Sequence, residues 1–192
     1  RATTKYLPAD INGDGIQDLV WQEPDWDNDG KIHDQYWYFM IGNGNGGFGS
    51  RTMFYTNSSN TSTPHQWEMI DYNADGRMDF ITYYHDAWRV HLSKPQSNGS
   101  WALTSTSFSS GITTKNTIFT DMNSDGLVDA IYRININSTG GGGSQFDQYK
   151  VYRRLLVSDA SQGVGSSQPY KFGSSSLIGT YDLSADDVSV WL

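Results

Sequence analysis

The sequence predicts an all-β fold built from a recurring four-stranded unit, on three observations. Gly, Ser, Thr and Asn are abundant while Ala, Leu, Glu and Lys are scarce, which disfavours long helices. No segment sustains a 3.6-residue apolar period. One Asp-rich string of nine residues, always flanked by short β-prone runs, occurs three times in the 192 residues.

The first copy is Asp10-Ile11-Asn12-Gly13-Asp14-Gly15-Ile16-Gln17-Asp18. The second is Asp71-Tyr72-Asn73-Ala74-Asp75-Gly76-Arg77-Met78-Asp79, and the third Asp121-Met122-Asn123-Ser124-Asp125-Gly126-Leu127-Val128-Asp129. All obey D-x-N-x-D-G-x-x-D and start 61 and then 50 residues apart. Apolar segments precede each string (Tyr6-Leu7, Trp67 to Ile70, Thr117 to Thr120). β-rich segments follow (Leu19 to Trp21, Phe80 to Tyr84, Ala130 to Ile136), so each string should be the loop of a hairpin. Further strands are expected at 35–41 and 51–56, at 87–92 and 101–108, and at 149–157 and 169–172. Four strands per repeat is the count of a propeller blade. The blades are expected at 5–60, 66–110 and 116–173, with a partial fourth at 176–192. In that last segment Asp182, Ser184 and Asp186 match positions one, three and five. Asp187 replaces the Gly and Val190 the final Asp, a worn copy expected to have lost its ion.

The loop chemistry points to calcium. Calcium takes six to eight hard oxygen ligands, and oxygens at positions one, three and five of a tight turn can face one centre. The Gly at six permits the bend, the carbonyl at seven can turn inward, and the Asp at nine closes the set. The expected ligands are Asp10, Asn12, Asp14, the Ile16 carbonyl and Asp18; Asp71, Asn73, Asp75, the Arg77 carbonyl and Asp79; and Asp121, Asn123, Asp125, the Leu127 carbonyl and Asp129. Uncompensated, three carboxylates in one turn repel each other. Three Ca2+ ions would take the net charge from −8 to −2. Magnesium favours stricter octahedral geometry, and zinc would want Cys or His, which the loops lack. An EF-hand needs a Glu at position twelve, where this chain has Trp21, Thr82 and Tyr132. The use of nineteen Asp but only two Glu, Glu23 and Glu68, fits tight carboxylate-lined turns rather than a merely solubilising surface.

With these loops, and with the Gly-rich Gly42-Asn43-Gly44-Asn45-Gly46-Gly47-Phe48-Gly49, the chain resembles the FG-GAP/VCBS repeat family of integrin-α-like calcium-binding β-propellers. The other repeats lack a clear Phe-Gly at that place. The resemblance implies a ring of usually seven blades, of which this chain holds about three and a half. Further blades are expected from the same or another chain, since an open ring leaves strand edges bare. The chain starts at Arg1 without a charged-then-apolar leader, as expected of a processed or excised piece. The expected function is a non-catalytic, secreted or cell-surface module that binds a glycan or protein, its loops stiffened by calcium. The alternatives are the shell propeller of a bacterial toxin-complex B-type component and a calcium-dependent polysaccharide lyase or hydrolase.

Composition narrows the rest. A net charge of −8 disfavours nucleic acid, and no run of eighteen apolar residues offers a membrane span. The absence of Cys removes disulfides and thiolate chemistry. No G-x-S-x-G elbow or His-x-Glu string accompanies His33, His65, His85 and His91. Gly42 to Gly47 matches G-x-G-x-x-G without a following helix, so it is expected to be a hairpin turn. The segment Asp25 to Asp34, with Asp25, Asp27 and Asp29, is expected to be an acidic hairpin tip turning at Asp29-Gly30, with a fourth ion as the other reading. Trp21, Trp26, Trp37, Trp67, Trp88 and Trp101 are expected mainly in blade packing, sugar stacking being the alternative, with Trp26 the most exposed. Asn57, Asn60, Asn98 and Asn137 head N-x-S/T strings.

Overall fold

A computed structural model describes residues 5–26, 29–61, 65–84, 87–106, 112, 117–124, 126–136, 146–152, 154–156, 170–172 and 176–181. All regular structure among them is β. Two compact units divide near residue 108.

The first unit holds two four-stranded antiparallel sheets. One is β1 (Tyr6–Ala9), β2 (Asp18–Trp26), β3 (Ile32–Met40) and β4 (Thr52–Thr61), in that order. The other is β5 (Trp67–Ile70), β6 (Asp79–Tyr84), β7 (Ala87–Pro95) and β8 (Trp101–Thr106). Consecutive strands pair with consecutive strands, the up-and-down order of a propeller blade. β3 shows why the chain is a strand here: Gln35, Trp37 and Phe39 alternate inward while Asp34, Tyr36 and Tyr38 lie on the other face. β6 is buried on both faces from Asp79 to Tyr83.

The two sheets share one core. Ala9, Ile11, Val20, Trp37 and Phe39 of the first meet Trp67, Phe80 and Leu103 of the second. Phe80 is the hub, with ring centroids 4.9 Å from Phe54, 5.8 Å from Trp67 and 5.9 Å from Trp37. A buried polar relay crosses the same junction. Trp67 Nε1 donates to Gln22 Oε1 (3.1 Å), and Gln22 Nε2 donates to Gln35 Oε1 (2.6 Å). The same Gln35 Oε1 accepts the His65 backbone N–H (2.8 Å). Satisfied in this way, two buried glutamines fix how the sheets face each other.

The second unit contains β9 (Thr117–Thr120), β10 (Asp129–Ile136), β11 (Phe146–Tyr152) and β14 (Ser176–Tyr181) as one antiparallel sheet. β12 (Arg154–Leu156) and β13 (Tyr170–Phe172) pair separately. This corrects the strand expected over 149–157, which divides into β11 and β12. It also corrects the fourth strand, expected at 169–172. That place is taken by Ser176–Tyr181, which pairs with β11, whereas the sequence had put the start of a further blade at 176. Alternation identifies a strand but not its partner, and the short β12–β13 hairpin diverts residues 170–172. The worn copy at Asp182 lies outside the described residues.

Trp21, Trp37, Trp67 and Trp88 are buried as blade packing requires, and Trp26 and Trp101 are partly buried. Trp26 is therefore less exposed than its charged neighbours implied. Asn57 is also buried, its amide against His65, while Asn98 lies on an exposed turn.

His91 packs against Tyr55 (4.8 Å) and Phe80 (5.3 Å), with Nε2 buried and without a hydrogen-bond partner. Burial, helped by the charge of Arg89, lowers its pKa to about 4. Between about 6.5 and 4 the unfolded chain takes up a proton that the folded chain refuses, so stability at this site is lost as pH falls through that window. The stability advantage of H91F over the wild type should therefore grow from pH 6.5 to pH 4 and stay constant above pH 7. Denaturant unfolding across pH measures it.

Candidate metal centre

Each D-x-N-x-D-G-x-x-D string is the connection of a two-stranded antiparallel pair, and the register is identical in all three. The residue before position one faces the Asp at position nine: Ala9 faces Asp18, Ile70 faces Asp79, and Thr120 faces Asp129. Position six is always Gly with φ near +80° (79°, 82° and 80°). Position four is left-handed as well, at Gly13 (74°), Ala74 (53°) and Ser124 (59°). The Gly at six is visible in the sequence. Position four carried no such signal, because Ala and Ser occupy two of the three places despite the strain.

In the first loop Asp10 Oδ1 accepts the N–H of Gly13 (2.7 Å) and Asp14 (3.2 Å), and Oδ2 accepts that of Gly15 (2.8 Å). Asp14 Oδ1 accepts Ile16 N–H (2.8 Å), and its Oδ2 accepts the Asn12 amide (2.8 Å). The second loop repeats this. Asp71 accepts the N–H of Asp75 and Gly76, Asp75 accepts that of Arg77, and the Asn73 amide donates to Asp75 Oδ2. In the third, Gly126 N–H donates to Asp121 Oδ2 (2.9 Å). Asn123 and Leu127 belong to this loop, and Asp125 lies outside the described residues. Positions one, three and five are thus brought together around the first two turns. Among the described residues, however, no three acidic or histidine side chains gather into a preformed metal cluster. The carboxylates are turned to backbone N–H groups instead.

Position nine has a duty that the repeat pattern alone does not announce. Asp18 Oδ2 accepts Ile11 N–H (2.8 Å) and its Oδ1 accepts Gly42 N–H (2.8 Å). Asp79 likewise accepts Tyr72 N–H (3.0 Å) and Ser93 N–H (2.7 Å). Asp129 Oδ2 accepts Met122 N–H (2.9 Å), while its buried Oδ1 has no partner among the described residues. These carboxylates are 0–1% exposed. Each clamps the start of its loop, and two of them also hold the third strand or the turn after it. The available signal for Asp18 was alternation, since it lies two residues before buried Val20, whereas β6 is buried on both faces and offers Asp79 no such signal.

Burial raises the pKa of Asp18 against the two backbone donors, and the charges of Asp14 and Asp10 add to the rise. Burial raises Asp79 to about 7, opposed by the Ser93 and Tyr72 N–H groups and reinforced by Asp75 and Asp71. Apart from Arg77 in the second, these loops carry no positive charge of their own.

The donor set suits a hard cation. The side chains at one, three, five and nine offer oxygens, and a carboxylate oxygen bound to one N–H keeps a further lone pair. Asn73 Oδ1 is buried with no partner among the described residues, an acceptor at position three. By contrast, Asp25 lies inside β2 opposite Asp34, and the chain turns at Gly30 (φ 78°). That segment is a hairpin tip and does not reproduce the register of the three loops; Asp27 lies outside the described residues. Gly42 and Phe48 form an isolated bridge closing the Gly-rich turn, and no helix follows. A Cβ at Gly42 would stand 2.5 Å from the Gln17 carbonyl oxygen, so only Gly brings that N–H to Asp18.

A family model described as FG-GAP-like repeat matches residues 10–82 and 71–132, which together span 10–132 of the 192 residues. Each match opens on the first Asp of one loop and runs into the strand after the next. No curated protein and no solved structure matches the chain significantly.

Two substitutions test the loop mechanics. A74G removes left-handed strain and should add about 0.5–1 kcal/mol of stability. D79A strands two buried N–H donors at about 1–3 kcal/mol each and should cost about 2–6 kcal/mol. Denaturant melts of both variants measure the difference.

Proposed function

The chain belongs to the FG-GAP-like repeat family, and on that premise we propose that it is a non-catalytic, calcium-stabilised β-propeller module. Its role is extracellular binding or adhesion, with a glycan or protein as ligand and with further blades alongside. The observation that carries this reading is the threefold recurrence of one loop with one register, one pair of left-handed positions and an all-oxygen donor set.

Asp10, Asn12, Asp14, the Ile16 carbonyl and Asp18 hold the ion in the first loop. Asp71, Asn73, Asp75, the Arg77 carbonyl and Asp79 hold it in the second. Asp121, Asn123, Asp125, the Leu127 carbonyl and Asp129 hold it in the third. When bound, calcium supplies the positive charge that the clustered carboxylates lack. The side chains of Asn12 and Asn73, whose amide N–H now goes to the fifth-position carboxylate, would offer the ion Oδ1. The ninth-position carboxylate keeps its backbone bonds through its remaining lone pairs. Millimolar extracellular calcium suits modules of modest affinity, which supports a secreted or cell-surface location. Catalysis has no support in the site, because the inward acids serve the loops and His91 is locked between rings.

Ions bound only by the folded chain stabilise it by mass action. At ten times its Kd each site adds about 1.4 kcal/mol, so three sites should raise the melting temperature by roughly 10 °C over that in excess chelator. D14A and D75A should each remove part of that rise, D14A about a third of it. Identical melting curves in calcium and in chelator would refute the proposal.

A further inference from the structure

At position seven the first loop has Ile16, the third Leu127 and the second Arg77, which is the one charged residue in the three loops besides the shared aspartates. Arg77 Nη2 donates to Asp75 Oδ2, the same oxygen that receives the Asn73 amide. In the first loop the corresponding oxygen of Asp14 receives only the Asn12 amide. The pair is sheltered, with side-chain exposures of 28% for Arg77 and 23% for Asp75, so water screens it less than it would an exposed ion pair. The guanidinium stands 5.8 Å from the Trp101 ring, which holds it over the loop.

The stem of Arg77 reaches the neighbouring loop. A Cβ at Gly13 would lie 2.9 Å from Arg77 Cγ and 3.7 Å from Cδ. Gly13 therefore leaves room for this arginine, whereas the same position in the other two loops carries Ala74 and Ser124. Next to Arg77, Met78 N–H donates to the Asp10 carbonyl (2.7 Å), and Ser93 Oγ donates to the Ile11 carbonyl (2.6 Å). The first loop is thus bonded to the second through Met78, next to the residue that carries the extra charge.

We propose that Arg77 is a built-in counter-ion of the second loop, so that this loop keeps its closed form and its grip on the first loop with little dependence on calcium. The inference rests on the calcium reading and refines it into a hierarchy. A resident +1 charge on the fifth-position carboxylate opposes an incoming divalent ion and occupies an oxygen that ion needs. The second loop is the weak calcium site, by about tenfold against the first and third. It is also the loop least disturbed by calcium removal. Calcium loss then loosens the first and third loops while the junction between the first two blades persists.

The test is calorimetric titration of calcium into the metal-free full chain, as wild type, R77M and R77K, with melting curves of each in chelator. R77M keeps a stem of similar length without the charge, and R77Q replaces it if R77M does not fold. Two tight sites and one weak site are expected for the wild type. R77M should tighten the weak site about tenfold and melt lower in chelator, a loss that should vanish when D75N is also present. R77K should keep the site weak. If the wild type binds calcium and R77M leaves every affinity unchanged or weakens one, the counter-ion inference is overturned and the calcium reading stands. If neither protein takes up calcium, both fall.

Discussion

A buried carboxylate at the ninth position of each loop accepts the backbone N–H of the loop's second residue. In the first unit it also accepts one from the far side of the sheet, at Gly42 or Ser93. Most of the blade geometry depends on this bond set. In the first unit it ties the turn to the strand after it, holds the third strand or the turn after it in place, and turns the second-position residue inward, whereas Met122 of the third loop is exposed. Ile11 and Tyr72 are buried there, and Ile11 belongs to the shared core. A carboxylate is used because it accepts at both oxygens, which an amide or hydroxyl at that place cannot do. Its cost is desolvation, and neighbouring carboxylates at positions one and five make that cost larger.

The same arrangement joins blade to blade. The first loop offers its Asp10 and Ile11 carbonyls to Met78 and Ser93, and Ser93 N–H in turn serves Asp79. Loop, clamp and neighbouring sheet are therefore one hydrogen-bonded unit above an aromatic core centred on Phe80. Stiffening one loop acts directly on the packing of two sheets. An ion held in a loop would therefore act on the packing of both sheets.

Much of the first unit was legible in the sequence because its signals are local. The repeat placed the hairpin loops, the strand expected at 35–41 and the packing role of Trp37 match β3, and Gly at position six announced a sharp bend, which is left-handed. What stayed hidden depends on partners distant in sequence or on exceptions to propensity. Ala74 and Ser124 occupy left-handed positions that their side chains disfavour. The clamp role of Asp18 needs Gly42, 24 residues away. The fate of residues 170–172 turns on whether they pair with β11 or with Arg154–Leu156, and nothing in their own pattern chooses. From the sequence Arg77 offers only a carbonyl, since its side chain acquires a role only once Asp75, Trp101 and Gly13 surround it.

A crystal structure of the chain grown in millimolar calcium, with anomalous data, tests the central claim most directly. The account predicts an anomalous peak in each of the three loops, inside a shell of oxygens from positions one, three, five, seven and nine. Loops that kept their carboxylates on backbone amides, with no peak at any of the three, would contradict it.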